Sequence, residues 1–137
     1  MPTPTEVFLS HSSEDHQFAT ALGNLLEVHG IPYWYSKRDV LGAQRWHDEI
    51  GLALARCDWF LLVLSPAAVA SRWVKLELLY ALQEEPYDDH IVVIDYQPAE
   101  HKKLSWALRS YQWVNFQQDF KDGCRDLLRI WGRGYRE

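Results

Sequence analysis

Short apolar runs alternate along the chain with longer segments of mixed polarity. The runs are rich in β-branched and aromatic residues, and the middle ones are continuously apolar, which is typical of parallel strands covered by helices on both faces. They are VFL (7–9), IPYWY (31–35), WFLLVL (59–64), IVVIDY (91–96) and WVNF (113–116). The pattern therefore predicts five strands of a largely buried sheet.

Four further segments carry apolar residues at the spacing of an amphipathic helix. The repeats are Phe18, Leu22, Leu25 and Val28; Trp46, Ile50 and Leu54; the segment SRWVKLELLYAL (71–82); and Phe120, Cys124, Leu127, Leu128 and Trp131. We expect Ser12 or Ser13 to cap the first helix and Gly30 to end it in the left-handed conformation. Segment 101–110 has a weaker pattern and is predicted as either a short helix or an irregular loop.

Strands that alternate with helices over 137 residues predict a single α/β domain covering residues 1–137. At this size we expect a flavodoxin-like, doubly wound parallel sheet of order 2-1-3-4-5, flanked by helices. The tail after Trp131, GRGYRE, is interpreted as a frayed end or as the point where the domain was excised from a longer multidomain protein.

Composition indicates which classes of partner to expect and in which cellular compartment the protein works. The formal net charge of −5 disfavours binding to the phosphate backbone of nucleic acids. The longest apolar run, at 59–64, is far shorter than the roughly 20 residues of a membrane-spanning helix. Cys57 and Cys124 are distant in sequence and the N-terminus lacks a signal-peptide pattern, so we expect a cytoplasmic protein that does not insert into membranes.

The predicted sheet order also predicts where a ligand binds. In such sheets the crevice lies beyond the carboxyl ends of the strands where the order reverses, here the first and third strands. The first strand runs into SHSSED (10–15), and the third runs into SPAAVASRW (65–73) and the helix that follows. That helix therefore forms one wall of the predicted crevice.

Glu77 is the acidic residue on this wall. At 100° per residue it shares a narrow arc with Trp73, Tyr80 and Glu84, while Val74, Leu78 and Ala81 form a separate face suited to the sheet. The aromatic rings could stack on a planar ligand while the carboxylate accepts hydrogen bonds from hydroxyl groups. On periodicity alone, a solvated surface glutamate is the simpler interpretation.

Other reaction chemistries lack their sequence patterns. The six histidines include no HExxH or cysteine-paired spacing, so we expect no metal. No GxGxxG or Walker loop follows a predicted strand, and no GxSxG elbow is present. Ser65 with Pro66 is interpreted as a strand-to-loop turn.

Four segments in order, VFLSHSSED, RDVLGAQRW, FLLVLSP and SRWVKLEL, resemble successive motifs of the Toll/interleukin-1 receptor (TIR) domain, in particular its prokaryotic NAD-cleaving members. The resemblance covers the whole chain, and its most specific part is S-x-W-V-x-x-E-L at 71–78. It implies a five-stranded flavodoxin-like domain. Some members of the family only assemble signalling complexes, whereas others cleave NAD at the nicotinamide–ribose bond. In the enzymes the catalytic acid is the glutamate four residues after this tryptophan, which here is Glu77 after Trp73.

The resemblance also implies a substrate-binding set around Glu77. Ser10, His11 and Ser12 resemble the loop that lines the nucleotide cleft, with helix capping as an alternative role for Ser12. Arg38 lies in the loop that covers the site in the family and is expected to meet the pyrophosphate, with a solvated cation as the alternative.

Three tryptophans complete the implied set. Trp34 ends the second strand, Trp46 matches an aromatic residue near the start of the next helix, and Trp73 would provide a flat platform beside Glu77. Core packing is the alternative for each of them. One departure from the family concerns Leu41, which stands where receptor-type members often have proline and which argues against receptor-style docking.

The leading hypothesis is an NAD glycohydrolase or cyclase that releases nicotinamide and ADP-ribose or a cyclic isomer. It uses NAD as substrate and needs no cofactor. The resemblance implies activation by self-assembly with other TIR domains, a role in bacterial defence against phage, and a fused or separate sensor or effector domain. The alternative is a non-catalytic TIR scaffold. A receiver-like or flavin-binding domain is a third hypothesis, and the receiver is disfavoured because SHSS lacks the acidic pair that would hold Mg²⁺.

Overall fold

The computed structural model describes residues 2–35 and 43–136, with side chains described from residue 47 onward in the second range. Within it a five-stranded, wholly parallel sheet has the order β2-β1-β3-β4-β5. The strands are β1 (Val7–Ser10), β2 (Tyr33–Tyr35), β3 (Trp59–Leu64), β4 (Ile91–Asp95) and β5 (Gln112–Asn115). The predicted fold class and strand order are confirmed.

Helices connect the strands and cover both faces of the sheet. They are α1 (His16–Val28), α2 (Ala43–Arg56), α3 (Pro66–Ala70), α4 (Arg72–Gln83) and α5 (Phe120–Ile130). Single 3₁₀ turns occur at Ser13–Asp15 and Glu85–Tyr87, and segment 101–110 forms two more, at His101–Lys103 and Trp106–Ser110. Among the helices in the described ranges, none combines the length and apolar content needed to cross a membrane.

The side-chain alternation of the strands divides the core into two layers. Leu61 and Val63 of β3 belong to the layer beneath α1 and α5. Phe60, Leu62 and Leu64 belong to the layer beneath α2 and α4. Every residue of β3 is buried, so helices on both faces account for the continuously apolar run in its sequence.

The helix α1 ends where the sequence predicts, but one residue of its predicted apolar repeat is exposed instead of buried. Gly30 has a φ of 73°, so it ends the helix in the left-handed conformation as expected. Val28, by contrast, is 66% exposed, and the buried position is taken by Leu26. The last helical turn therefore presents a different residue to the core than four-residue spacing suggests.

The short helix α3 is absent from the sequence prediction because five residues are too few to show a helical period. It begins where the Ser65 hydroxyl accepts the backbone N–H of Ala68 at 3.0 Å, with Pro66 in the first turn. Ser65 is thus a helix cap rather than only a strand-to-loop turn. The helix ends at Ala70, and the hydroxyl of the next residue, Ser71, accepts the N–H of Val74 and caps α4.

A buried tyrosine joins α2 to the connection before β4, and its hydroxyl offers a test of this packing. Tyr87 is 1% exposed and donates a hydrogen bond of 2.6 Å to the carbonyl oxygen of Leu54. Tyr87→Phe leaves that buried carbonyl without its donor, so we expect the free energy of unfolding to fall by about 1–2 kcal/mol. Urea unfolding measures the change, and an unaltered unfolding midpoint would show that water replaces the hydroxyl at no cost.

Candidate active site

The switch in strand order lies between β1 and β3, whose carboxyl ends are adjacent. The two strands pair in register through Ser10 opposite Leu62. β1 continues into residues 11–15 and then α1, and β3 continues into α3 and α4. Because parallel strands end at the same edge of the sheet, these two segments lie beside each other there, as the sequence predicts.

Glu77 lies at this edge and is buried. It is 2% exposed, and its Oε1 atom accepts a hydrogen bond of 2.7 Å from the hydroxyl of Ser10. The neighbouring positions Val74, Leu78 and Ala81 are buried in the core layer beneath α4. The interpretation of Glu77 as a solvated surface residue is therefore wrong, and its carboxylate is held by a donor 67 residues away in the sequence.

His11 follows Ser10 and belongs to a cluster of three rings. His11 is 3% exposed, and its ring centroid lies 5.5 Å from that of Tyr35 and 6.3 Å from that of His16. His16 and Tyr35 are 6.0 Å apart. The sequence prediction does not include His16, since its approach to Tyr35 depends on the turn at 13–15 and on the pairing of β1 with β2.

Ser12 caps the 3₁₀ turn that leads into α1, not α1 itself, which follows Asp15 and has no side-chain cap. The Ser12 hydroxyl accepts the N–H of Glu14 at 3.2 Å and starts the 3₁₀ turn Ser13–Asp15. Ser12 is 6% exposed, so it lies within the loop rather than on its outer surface. Capping and lining of a cleft are compatible roles for a residue in this position.

A second hydrogen bond crosses the crevice, and the sequence pattern gives no sign of it. The hydroxyl of Ser65, at the end of β3, donates to Oδ2 of Asp15. Asp15 is 7% exposed and Ser65 is fully buried. An aspartate just before a helix is usually a cap, so spacing alone does not distinguish Asp15 from an ordinary helix start.

The environment of Asp15 predicts a pH dependence of stability. Burial raises the pKa of Asp15 above its ordinary value of 3.8, the hydrogen bond from Ser65 opposes this, and the charge of Glu14 adds to it. A carboxyl whose pKa is raised on folding contributes stability below its unfolded pKa and loses it as the pH rises through the folded pKa. Asp15→Asn cannot ionise, so its stability relative to the parent should increase from about pH 3 to about pH 7. Urea unfolding across this range tests the sign, and a relative stability that falls with pH would contradict it.

Trp73 and Trp34 occupy different surroundings. Trp73 is half-buried in the first turn of α4, one turn before Glu77, with the ring of His47 at 6.1 Å and the guanidinium of Arg72 at 5.9 Å. Trp34 is half-buried in β2, and its ring packs against Phe8 at 5.2 Å. Packing is therefore evident for Trp34, while Trp73 lies on the same helix as the acid.

Two of the sequence-predicted residues lie outside what the structure describes. Arg38 falls between the two described ranges, and Trp46 belongs to the backbone of α2 with its side chain outside the described residues. Within the described ranges, no group of three or more His, Cys, Asp or Glu side chains is placed to hold a metal ion. Of the sequence-predicted residues that the structure does describe, Ser10 contacts Glu77, and His11 and Ser12 lie on the loop that follows β1.

Sequence comparison finds two curated bacterial relatives. The 2′ cyclic ADP-D-ribose synthase BtTIR of Bacteroides thetaiotaomicron is 26% identical over 106 residues, which cover 74% of this chain and 36% of the relative. The NAD(+) hydrolase TcpC of Escherichia coli O6:H1 is 25% identical over 93 residues, which cover 67% of this chain and 30% of the relative. The chain thus spans about a third of the length of each relative.

Comparison with solved structures supports the same fold. The TIR domain of the Toll-related receptor TRR-2 from Hydra magnipapillata superposes with a TM-score of 0.73 at 21% identity, covering 93% of this chain and 98% of the receptor domain. The family model for the TIR domain matches residues 7–128, which include β1, Glu77 and most of α5. This chain therefore belongs to the TIR domain family.

Proposed function

We propose that this domain cleaves NAD at the bond between nicotinamide and ribose, with Glu77 as the catalytic carboxylate. The observation that carries the proposal is the buried position of Glu77 at the switch point of the sheet, where Ser10 holds one carboxylate oxygen at 2.7 Å. Two relatives named as an NAD hydrolase and a cyclic ADP-ribose synthase support the choice of substrate.

A single carboxylate suits this reaction. The bond from C1′ to the ring nitrogen breaks, and nicotinamide leaves with the electron pair as a neutral molecule, so no proton has to be supplied. Positive charge develops at C1′ and the ring oxygen, as in glycoside hydrolysis. A carboxylate beside the ribose stabilises this charge and accepts hydrogen bonds from the 2′ and 3′ hydroxyls.

The second step determines the product. When water attacks C1′ and loses a proton, the products are ADP-ribose and nicotinamide. When an oxygen of the adenosine half attacks instead, its proton is lost and a cyclic isomer forms. The loop with His11 and Ser12 is proposed to line the cleft and Trp73 to pack against the ligand, while Arg38, Trp34 and Trp46 stay predictions for contacts to the rest of the nucleotide.

The burial of Glu77 has a consequence for regulation. At 2% exposure, the carboxylate meets a ribose only after the groups that cover it move aside. A domain in this conformation is expected to turn over slowly until association with other copies favours an open one. We propose self-assembly as the activating step, in the cytoplasm of a bacterium that responds to infection, with the sensor in another domain or protein.

The alternative is a TIR scaffold that acts only by association. The exposed leucines Leu52 on α2, and Leu76 and Leu79 on α4, are 63%, 43% and 38% exposed and offer apolar contact area for another copy. Association through such residues serves an enzyme and a scaffold equally, so catalysis has to be measured directly.

The experiment is release of nicotinamide from NAD, followed by chromatography that also separates ADP-ribose from cyclic isomers. The domain is assayed from dilute solution to crowded conditions that promote assembly, with NADH as the matched control. We expect nicotinamide from NAD, more per molecule at higher protein concentration, and no cleavage of NADH, whose reduced ring is a poor leaving group. Absence of nicotinamide in every assembled state would favour the scaffold.

A further inference from the structure

Two side-chain hydrogen bonds between described residues cross the crevice, and the second does not involve the proposed catalytic acid. Ser10 joins the end of β1 to Glu77 on α4, and Asp15 joins the next loop to Ser65 at the end of β3. Asp15 and Ser65 are 50 residues apart in the sequence and both are buried. Buried polar pairs of this kind hold their segments in one arrangement because separating them removes a hydrogen bond from groups that water does not reach.

The Ser65 hydroxyl has two partners, which connects Asp15 to the helix that carries Glu77. It donates to Asp15 and accepts the N–H of Ala68, so the start of α3 is tied to the loop after β1. The helix α3 has only five residues and ends at Ala70, next to Ser71. Since Ser71 caps α4 through the N–H of Val74 at 3.2 Å, a shift of α3 is passed to the first turn of α4.

These contacts form a closed ring. From Ser10 the chain runs to Asp15, crosses to Ser65, continues through α3 and α4 to Glu77, and returns to Ser10 by the hydrogen bond of 2.7 Å. The ring therefore holds Glu77 directly through Ser10 and indirectly through the start of α3. Val74, Leu78 and Ala81 pack the body of α4 against the sheet, so what the Asp15–Ser65 bridge adds is the placement of the N-terminal end of α4.

We propose that Asp15 is a positioning residue that, through Ser65, sets the placement of α3 and α4 relative to the loop after β1, and that this bridge persists when the groups that cover Glu77 move aside. This inference rests on the proposed function, in which ribose sits between that loop and Glu77. Displacement of a reacting group by about 1 Å costs up to roughly 100-fold in rate, so a loosened α4 lowers turnover without removing any group that touches substrate.

The role requires a hydrogen-bond acceptor in place of Asp15, not a charge. Burial already raises the pKa of the Asp15 carboxyl, which disfavours its ionised form. An asparagine has the same shape and keeps one acceptor oxygen. Asp15→Asn should therefore retain the bridge, whereas Asp15→Ala and Ser65→Ala remove it.

The test measures kcat and KM for NAD under assembled conditions. We expect Asp15→Ala and Ser65→Ala each to lower kcat by about tenfold or more with KM changed by less than about threefold. Ser65→Ala removes the cap of α3 as well as the bridge, whereas Asp15→Ala removes only the bridge, so the double variant should be no slower than Ser65→Ala alone. Asp15→Asn should keep kcat within about threefold of the parent.

The matched control is Asp58, which tethers a loop at the opposite edge of the sheet by accepting the N–H groups of Thr5 and Glu6. Asp58→Ala should lower the thermal unfolding midpoint and leave kcat unchanged at temperatures below that midpoint. Unchanged kcat in both alanine variants, an additive double variant, or an Asp15→Asn as slow as Asp15→Ala would each overturn the inference.

Amide hydrogen exchange keeps the inference separate from the proposed function. In Asp15→Ala the amides of 67–76 should exchange faster while those of β5 and α5 are unaffected, whether or not the parent cleaves NAD. A parent without activity refutes the proposed function, and unchanged exchange at 67–76 refutes the positioning role. If Asp15→Ala does not fold, Asp15→Leu, which has a similar branched shape and no acceptor, carries both measurements, because Ser65→Ala also removes the cap of α3.

Discussion

Glu77→Gln is expected to lower nicotinamide release from NAD by about 10³-fold and to leave the protein folded. Loss of a preorganised electrostatic group in an enclosed site costs a factor of this order. The amide of glutamine is neutral, so it cannot stabilise the positive charge that develops at C1′. It still offers a carbonyl oxygen to the Ser10 hydroxyl, which donates to Glu77 at 2.7 Å.

Stability should respond in the opposite sense to activity. A buried carboxylate is costly to desolvate, and glutamine fills the same volume without a charge. We therefore expect the unfolding midpoint of Glu77→Gln to equal or exceed that of the parent. An inactive variant with a stable fold separates loss of chemistry from loss of structure.

Glu84→Gln is the matched control, because Glu84 ends the same helix, is half-buried, and undergoes the same chemical change. We expect it to retain the parent rate of nicotinamide release. Retention of activity in Glu77→Gln would remove Glu77 from the mechanism, and equal losses in the two variants would point to a general effect on α4.

Phe8→Ala is expected to lower the free energy of unfolding by about 3–5 kcal/mol, as truncation of a buried aromatic residue does elsewhere. Phe8 lies on β1 and is fully buried; its ring stacks on that of Phe60 with centroids 5.5 Å apart and packs at a tilt against Trp34 at 5.2 Å. The cavity opens in the core layer between the sheet and the helices α2 and α4, where the hydrogen-bonded strands cannot move to fill it. Since domains are stable by only about 5–15 kcal/mol, this loss is a large fraction of the whole.

Urea unfolding followed by tryptophan fluorescence measures this change. Phe8→Leu keeps most of the volume and should cost less than about 1.5 kcal/mol. Val28→Ala truncates a residue that is 66% exposed and should change stability by no more than about 0.5 kcal/mol. A loss below 1 kcal/mol in Phe8→Ala would show that β1 and β2 repack around the missing ring.

Much of the fold follows from local patterns. The apolar runs correspond to all five described strands with ends shifted by one or two residues, and Gly30 ends α1 as its φ freedom suggests. The parallel order follows because helices separate successive strands. The helix α3 was missed since its five residues have no period to detect, and it depends on the cap at Ser65.

The sequence predicts where the candidate site lies on the sheet but not the contacts that its residues make. The switch-point rule places SHSSED and the helix with Glu77 at one edge of the sheet, and the TIR resemblance selects Glu77. Periodicity placed Glu77 with Trp73 and away from the buried face, but in the structure it is as buried as Val74 and Leu78. The Ser10 hydroxyl on β1 reaches Glu77, and a helical wheel contains no information about a neighbour 67 residues away.

By itself, the sequence determined the strands, the main helices, the sheet order and the edge where the candidate site lies, because these depend on spacing between near neighbours and on the handedness of strand–helix–strand connections. Only the tertiary structure decided that Ser10 meets Glu77 and that Ser65 meets Asp15. Those partners are 67 and 50 residues apart in the sequence. They meet because β1 and β3 pair in register and because α3 and α4, capped by Ser65 and Ser71, follow β3 at the same edge of the sheet.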